Sequence, residues 1–66
     1  MNLNKLKGKL REHNSNYNET ADFLGLSVTA FSNKMNGKSK FYVDEIEKLS
    51  ERLNLSDAEK IDIFLT

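Results

Sequence analysis

The sequence predicts an all-α fold, a compact bundle of five short helices. Apolar residues recur three and four positions apart along most of the 66-residue chain, no stretch keeps the period of two that strands show, and Asn, Ser and Gly separate the apolar stretches. The length is that of one domain, residues 1–66, close to the lower size at which a single core is sufficient. With 38% hydrophobic and 30% charged residues, the composition is that of a chain that folds.

The first helix is predicted from about Leu3 to about His13, because leucines at positions 3, 6 and 10 fall on one side of a helix. Asn2 is a suitable N-cap. A second helix of about eight residues follows Asn16, which has the capping-box spacing with Glu19. It ends at Gly25, where the chain must turn sharply.

The third helix is predicted from Val28 to Met35, with Ser27 as its N-cap and Gly37 just after its end. Phe31 and Met35 are four positions apart and should anchor this helix in the core. Its other positions are polar or small.

A loop separates the third helix from the fourth, which is predicted from about Val43 to Leu53. Phe41, in that loop, should plug the core. The last short helix begins with a second capping box, formed by Ser56 and Glu59.

Charge is segregated along the chain although the formal net charge is zero. Residues 1–42 carry seven basic and three acidic side chains, a net +4, and residues 43–66 carry three basic and seven acidic side chains, a net −4. A polyanion docks where the local field is positive, so the first part of the chain is the candidate surface for nucleic acid. Taken alone, the charge pattern is better explained by solvated helix faces.

Several classes of function are disfavoured by residue content. The absence of cysteine excludes disulfide frameworks, zinc fingers and thiol nucleophiles, and with no signal peptide or apolar span we expect a cytoplasmic protein with no membrane partner. Ser27 and Ser32 have no nearby histidine base, and His13 has no second metal-ligand type beside it. We therefore expect no enzyme activity, no cofactor, no metal and no small-molecule ligand.

Helices two and three, joined by a short turn with glycine at its start, have the layout of a helix-turn-helix. The stretch 16–38, NYNETADFLGLSVTAFSNKMNGK, resembles the DNA-binding domain of the Cro and repressor family of bacteriophages, also called lambda repressor-like. The positions that carry the resemblance are Ala21, Leu24 to Ser27, Phe31, and Asn36 to Lys38. The resemblance implies a transcription regulator, of phage or prophage type, that occupies double-stranded operator DNA and blocks or modulates a promoter.

In that arrangement the third helix enters the major groove, and four side chains should touch bases, namely Val28, Thr29, Ser32 and Asn33. Asn33 is the one able to bind an adenine edge through two hydrogen bonds, and methyl groups on Val28 and Thr29 suit thymine. An A·T-rich half-site is therefore predicted. Val28 stands where relatives often carry a long polar side chain.

A second set of side chains should bind phosphates and so set affinity and salt dependence, namely Tyr17, Lys34, Lys38, Ser39, Lys40 and Tyr42. Tyr17 stands where the family usually has Gln, and its phenol is still a donor to phosphate.

The chain end offers a hypothesis about protein partners. Ile63, Phe64 and Leu65 present more apolar surface than a short helix should bury inward, which predicts a homodimer or a heteromer with a repressor protein. An alternative function follows: a phage-type modulator that binds a repressor and masks its DNA-reading surface. The zero net charge, Val28 and the acidic second half favour this alternative.

Overall fold

A computed structural model, which describes residues 1–65, contains five helices and no strand in that part of the chain. The helices are α1 (Leu3–Glu12), α2 (Tyr17–Leu24), α3 (Val28–Met35), α4 (Val43–Arg52) and α5 (Asp57–Phe64). The predicted all-α bundle is confirmed. Among these described helices, none combines the length and apolar character needed to cross a bilayer.

Four of the helices begin with a side-chain cap, and all four caps are the predicted ones: Asn2, Asn16, Ser27 and Ser56. Each side chain accepts a hydrogen bond from the backbone N–H three residues further on. Ser56 and Glu59 form the full capping box, since the Glu59 carboxylate also accepts from the Ser56 N–H at 3.0 Å. Local sequence therefore fixes where these helices start.

The first four helices are each followed by a left-handed residue: Asn14, Gly25, Gly37 and Asn54 have φ values of 52°, 74°, 79° and 50°. At Gly25 this conformation directs the Leu26 N–H back to the Ala21 carbonyl at 2.8 Å, the long hydrogen bond of a Schellman ending. The turn between α2 and α3 is short for this reason, and glycine adopts its backbone angles without strain.

The core is a continuous cluster to which every helix contributes, and an aromatic series runs through it. Phe31, fully buried on α3, meets Tyr17 of α2 edge-on at a centroid distance of 5.2 Å and Phe41 of the following loop at 6.2 Å. Phe41 in turn meets Phe64 of α5 at 6.3 Å. The predicted core roles of Phe31, Met35 and Phe41 are confirmed.

Arg52, near the end of α4, holds α2 in place. Its Nε donates to the Ser15 hydroxyl at 3.1 Å, and its guanidinium lies 5.0 Å from the centre of the Phe23 ring. Ser15 also shares a buried hydrogen bond of 2.7 Å with the Thr20 hydroxyl inside α2. Polar contacts, as well as the core, therefore hold the α2–α3 pair against α4.

Ion pairs between α1 and α5 join the basic and acidic parts of the chain. Lys5 pairs with Asp62, and Lys9 pairs with Glu59. The charges that are separated along the sequence therefore partly neutralise one another in space. The field that a polyanion meets must come from cations elsewhere on the surface.

These pairs predict how stability depends on pH. The hydrogen bond from Lys9, followed by that from the Ser56 N–H, lowers the pKa of Glu59 from 4.5 to about 2. A lowered carboxyl pKa stabilises the fold above the unfolded-state value, and this contribution is lost as pH falls from 4.5 towards 2. The pKa of Lys9 is raised above 10.5, chiefly by Glu59, so its contribution is lost only above that pH.

We therefore expect Glu59→Gln, which keeps the capping acceptor, to lower Tm at pH 7. The difference from the parent chain should shrink as the pH falls from 4.5 to 2. Thermal unfolding followed by circular dichroism measures it, with Glu51→Gln on the exposed face of α4 as the matched control. A Tm difference that is the same at pH 7 and pH 2.5 would contradict the assignment.

Candidate nucleic-acid interface

The outward face of α3 brings together all four side chains predicted to touch bases. Val28 and Thr29 are exposed, and Ser32 and Asn33 are half-buried. Positions 28, 29, 32 and 33 share a side because residues four apart lie one above the other on a helix. The opposite side of α3 carries the buried Phe31 and Met35, so packing fixes which side faces outward.

Asn33 has its amide group available for a ligand. Within residues 1–65 its side chain makes no hydrogen bond, whereas the Ser32 hydroxyl accepts a long one, of 3.4 Å, from the Asn36 amide. An uncommitted carboxamide presents one acceptor and two donors, and an adenine edge requires the acceptor, for its N6 amino group, and one donor, for its N7. Val28, at 43% exposed, offers only methyl groups.

The segment after α3, residues 36–42, is called the anchoring loop here. Its exposed side chains include four of the predicted phosphate ligands, Lys38, Ser39, Lys40 and Tyr42. The N–H groups of Lys38 and Ser39 donate to the Asn33 carbonyl at 2.9 and 3.3 Å. The backbone at Lys38 is thereby held against Asn33, the residue predicted to read a base.

Lys34 is not a surface cation, and its placement disfavours the predicted role as a phosphate ligand. Its side chain is 8% exposed, and its Nζ lies 2.5 Å from the Glu45 carboxylate, which is 7% exposed. Glu45 also accepts from the Tyr42 N–H at 2.8 Å. Reaching a phosphate would require Lys34 to leave a buried carboxylate uncompensated, which is costly.

Sequence reasoning missed this ion pair, although a signal was present. Lys34 is three positions after Phe31 and next to Met35, so the helical period places it on the buried side of α3. Glu45, three residues after the cap position Tyr42, occupies the N3 site that reaches back to the helix start. A cation on a buried helix face needs a buried anion, and Glu45 is in position to supply it.

The two tyrosines differ in accessibility. Tyr42 is 68% exposed, and one face of its ring covers the Lys34 ammonium, with the Nζ 4.2 Å from the ring centre. Tyr17, the first residue of α2, is half-buried because its ring packs against Phe31. Tyr42 is therefore freely open to a phosphate, and Tyr17 is open only in part.

The predicted partner surface at the chain end is largely buried, which corrects that prediction for two of its three residues. Ile63 is fully buried and Phe64 is 7% exposed. The short α5 packs back against α1, where the Asn2 N–H donates to the Ile63 carbonyl at 2.7 Å, and Phe64 joins the aromatic series. Leu65, 75% exposed, is the one member that is open to a partner.

Comparison of this chain with family models, with curated proteins and with solved structures finds no match.

Proposed function

We propose that this protein is a sequence-specific regulator of transcription, of the Cro and repressor type, that binds double-stranded operator DNA with α3 in the major groove. The single observation that carries the proposal is the distribution of side chains around α3. One side is anchored by Phe31 and Met35, and the other presents small or polar side chains, including the uncommitted amide of Asn33. The proposed role of the protein is binding rather than catalysis.

The surroundings of α3 support the same proposal. The α2–α3 turn is short, with Gly25 in the left-handed conformation, which is the layout of a helix-turn-helix. Lys38 and Lys40, in the loop that follows α3, add exposed positive charge. Regulation by steric occupation of a promoter needs no further chemistry from the chain.

Selection from a random duplex library tests the proposal directly, because the operator is not specified by the protein. We expect enrichment of an A·T-rich half-site, and the selected duplex should bind more tightly than a scrambled one of the same composition. Binding of both should weaken as salt rises from about 50 to 200 mM. No binding to either duplex at low salt would contradict the proposal.

Asn33→Ala should remove sequence preference at one base pair. The expected loss of affinity for the selected duplex is about 1–3 kcal/mol, since one bidentate contact to adenine disappears. Titration of the selected and scrambled duplexes at one salt concentration measures it. Because Asn33 carries no charge, the salt slope should not change, and an equal loss on both duplexes would contradict base reading by this residue.

Lys38→Gln should change the salt dependence of binding and leave the sequence preference unchanged. Loss of one phosphate contact makes the negative slope of log K against log salt shallower by about 0.9 and weakens binding to both duplexes alike. Lys48→Gln is the matched control, because Lys48 is an exposed lysine on the acidic α4. Equal slopes for the two variants would place the anchoring loop outside the DNA contact.

A second candidate function is the modulator that binds a repressor protein and masks its DNA-reading surface. It is favoured by Val28, an exposed apolar side chain at the start of α3, and by the exposed Leu65. Under this alternative, the protein should form a complex with a co-encoded repressor and should not bind the selected duplex tightly. Val28→Ser should then weaken the protein complex, which analytical ultracentrifugation detects.

A further inference from the structure

The anchoring loop is tied to two consecutive residues of α3. At its beginning, the Asn33 carbonyl accepts from the N–H groups of Lys38 and Ser39. At its end, the Lys34 ammonium binds Glu45, whose carboxylate also accepts from the Tyr42 N–H. The loop is therefore hydrogen-bonded to Asn33 directly at its beginning and linked to Lys34 through Glu45 at its end.

The Lys34 ammonium is enclosed by protein. Its Nζ lies 2.5 Å from Glu45, 4.2 Å from the centre of the Tyr42 ring and 6.0 Å from that of Phe41. A carboxylate on one side and aromatic faces on others compensate the charge within the fold. This cation is consequently unavailable to release a counterion from DNA.

We propose that the Lys34–Glu45 ion pair is a positioning unit that sets the rotation of α3 and the placement of the anchoring loop together. Consecutive residues of a helix are about 100° apart, so fixing Lys34 against α4 also fixes the direction of Asn33. Sequence reading requires the base-contacting amide and the phosphate-binding lysines to engage one duplex simultaneously. The pair thus determines sequence preference without touching DNA, an inference that rests on the proposed function.

Lysine reactivity tests the ion pair independently of DNA. In the free protein, an amine-acetylating reagent read out by mass spectrometry should modify Lys34 at least about tenfold more slowly than Lys38 and Lys40, since reaction at Lys34 needs local opening. Adding the selected duplex should protect Lys38 and Lys40 and leave Lys34 unchanged. Reaction of Lys34 at the rate of Lys38 would overturn the proposal.

The double variant Lys34→Met/Glu45→Gln tests positioning. It leaves no unpaired buried charge and keeps a side-chain oxygen to accept from the Tyr42 N–H, so the chain should fold, as circular dichroism will verify. We expect affinity for the selected duplex to fall about tenfold, with affinity for the scrambled duplex within about twofold of the parent chain.

The outcomes distinguish a positioning role of the ion pair from a direct DNA contact by Lys34 and from failure of the proposed function. An equal loss on both duplexes would make Lys34 a phosphate ligand, and no loss on either would make the pair structural only, so each overturns the proposal. If the parent chain binds neither duplex, the proposed function fails and this role in DNA reading is rejected with it. Lysine reactivity still reports in that case whether the ion pair is present.

Discussion

Phe31→Ala is expected to unfold the protein at 25 °C. Phe31 is fully buried at the centre of the core and packs edge-on against Tyr17 and Phe41. Truncating a buried Phe to Ala costs about 3–5 kcal/mol through lost transfer free energy and the cavity left behind. A single core of this size rarely supplies more than about 3–5 kcal/mol in total. The substitution is therefore expected to remove most or all of the stability.

Phe23→Ala is the matched control for this experiment. Phe23, one position before the end of α2, is 42% exposed and contacts the Arg52 guanidinium, an arrangement worth about 0.5–1 kcal/mol at an exposed site. Circular dichroism at 222 nm with urea titration should show a cooperative transition for Phe23→Ala and little helix for Phe31→Ala. A cooperative transition for Phe31→Ala within about 1 kcal/mol of the parent chain would contradict the central role of this ring.

Much of the fold follows from short-range sequence signals. Caps such as Ser27 and Ser56 act within three residues, and Gly25 fixes the α2–α3 turn through its own backbone angles. Helix boundaries accordingly agree with prediction to within a residue, with His13 and Leu53 serving as caps after α1 and α4 rather than as their last helical residues.

Errors arose where long-range packing decides the environment of a side chain. Lys34 has charged neighbours in the sequence, but its environment is set by Glu45, eleven positions away on another helix. A short terminal helix alone would leave Ile63 and Phe64 exposed, whereas α1 and the aromatic series cover them. Pairing of Lys9 with Glu59 likewise turned an apparent charge separation into a contact between helices.

The same difference between short-range sequence signals and long-range packing applies to the candidate site. The face formed by Val28, Thr29, Ser32 and Asn33 could be predicted, because helical period and the neighbouring core residues determine which positions point outward. The Lys34–Glu45 pair is harder to predict, because helical period indicates that Lys34 is buried but the contact joins two helices. DNA binding itself remains a prediction from these features.

Lys34→Met alone is expected to destabilise the protein by about 3–5 kcal/mol, because it leaves the Glu45 carboxylate buried without its cation. The tyrosine N–H at position 42 remains as a donor to Glu45 but carries no formal charge. This cost is as large as the total stability expected of a core of this size, so circular dichroism should show little helix for Lys34→Met. Adding Glu45→Gln should restore a cooperative urea transition, since a neutral pair removes the unpaired charge.

Lys60→Met supplies the comparison, because Lys60 pairs with the exposed Asp57 at 3.7 Å and such surface pairs contribute about 0–1 kcal/mol. If Lys34→Met proved no more costly than Lys60→Met, the carboxylate of Glu45 would have to reach water without its partner. The position of α3 against α4 would then depend on the apolar core alone. A large cost recovered by Glu45→Gln would instead establish that burial of the two charges is coupled, which is the physical condition for the pair to hold the outward face of α3 in one orientation.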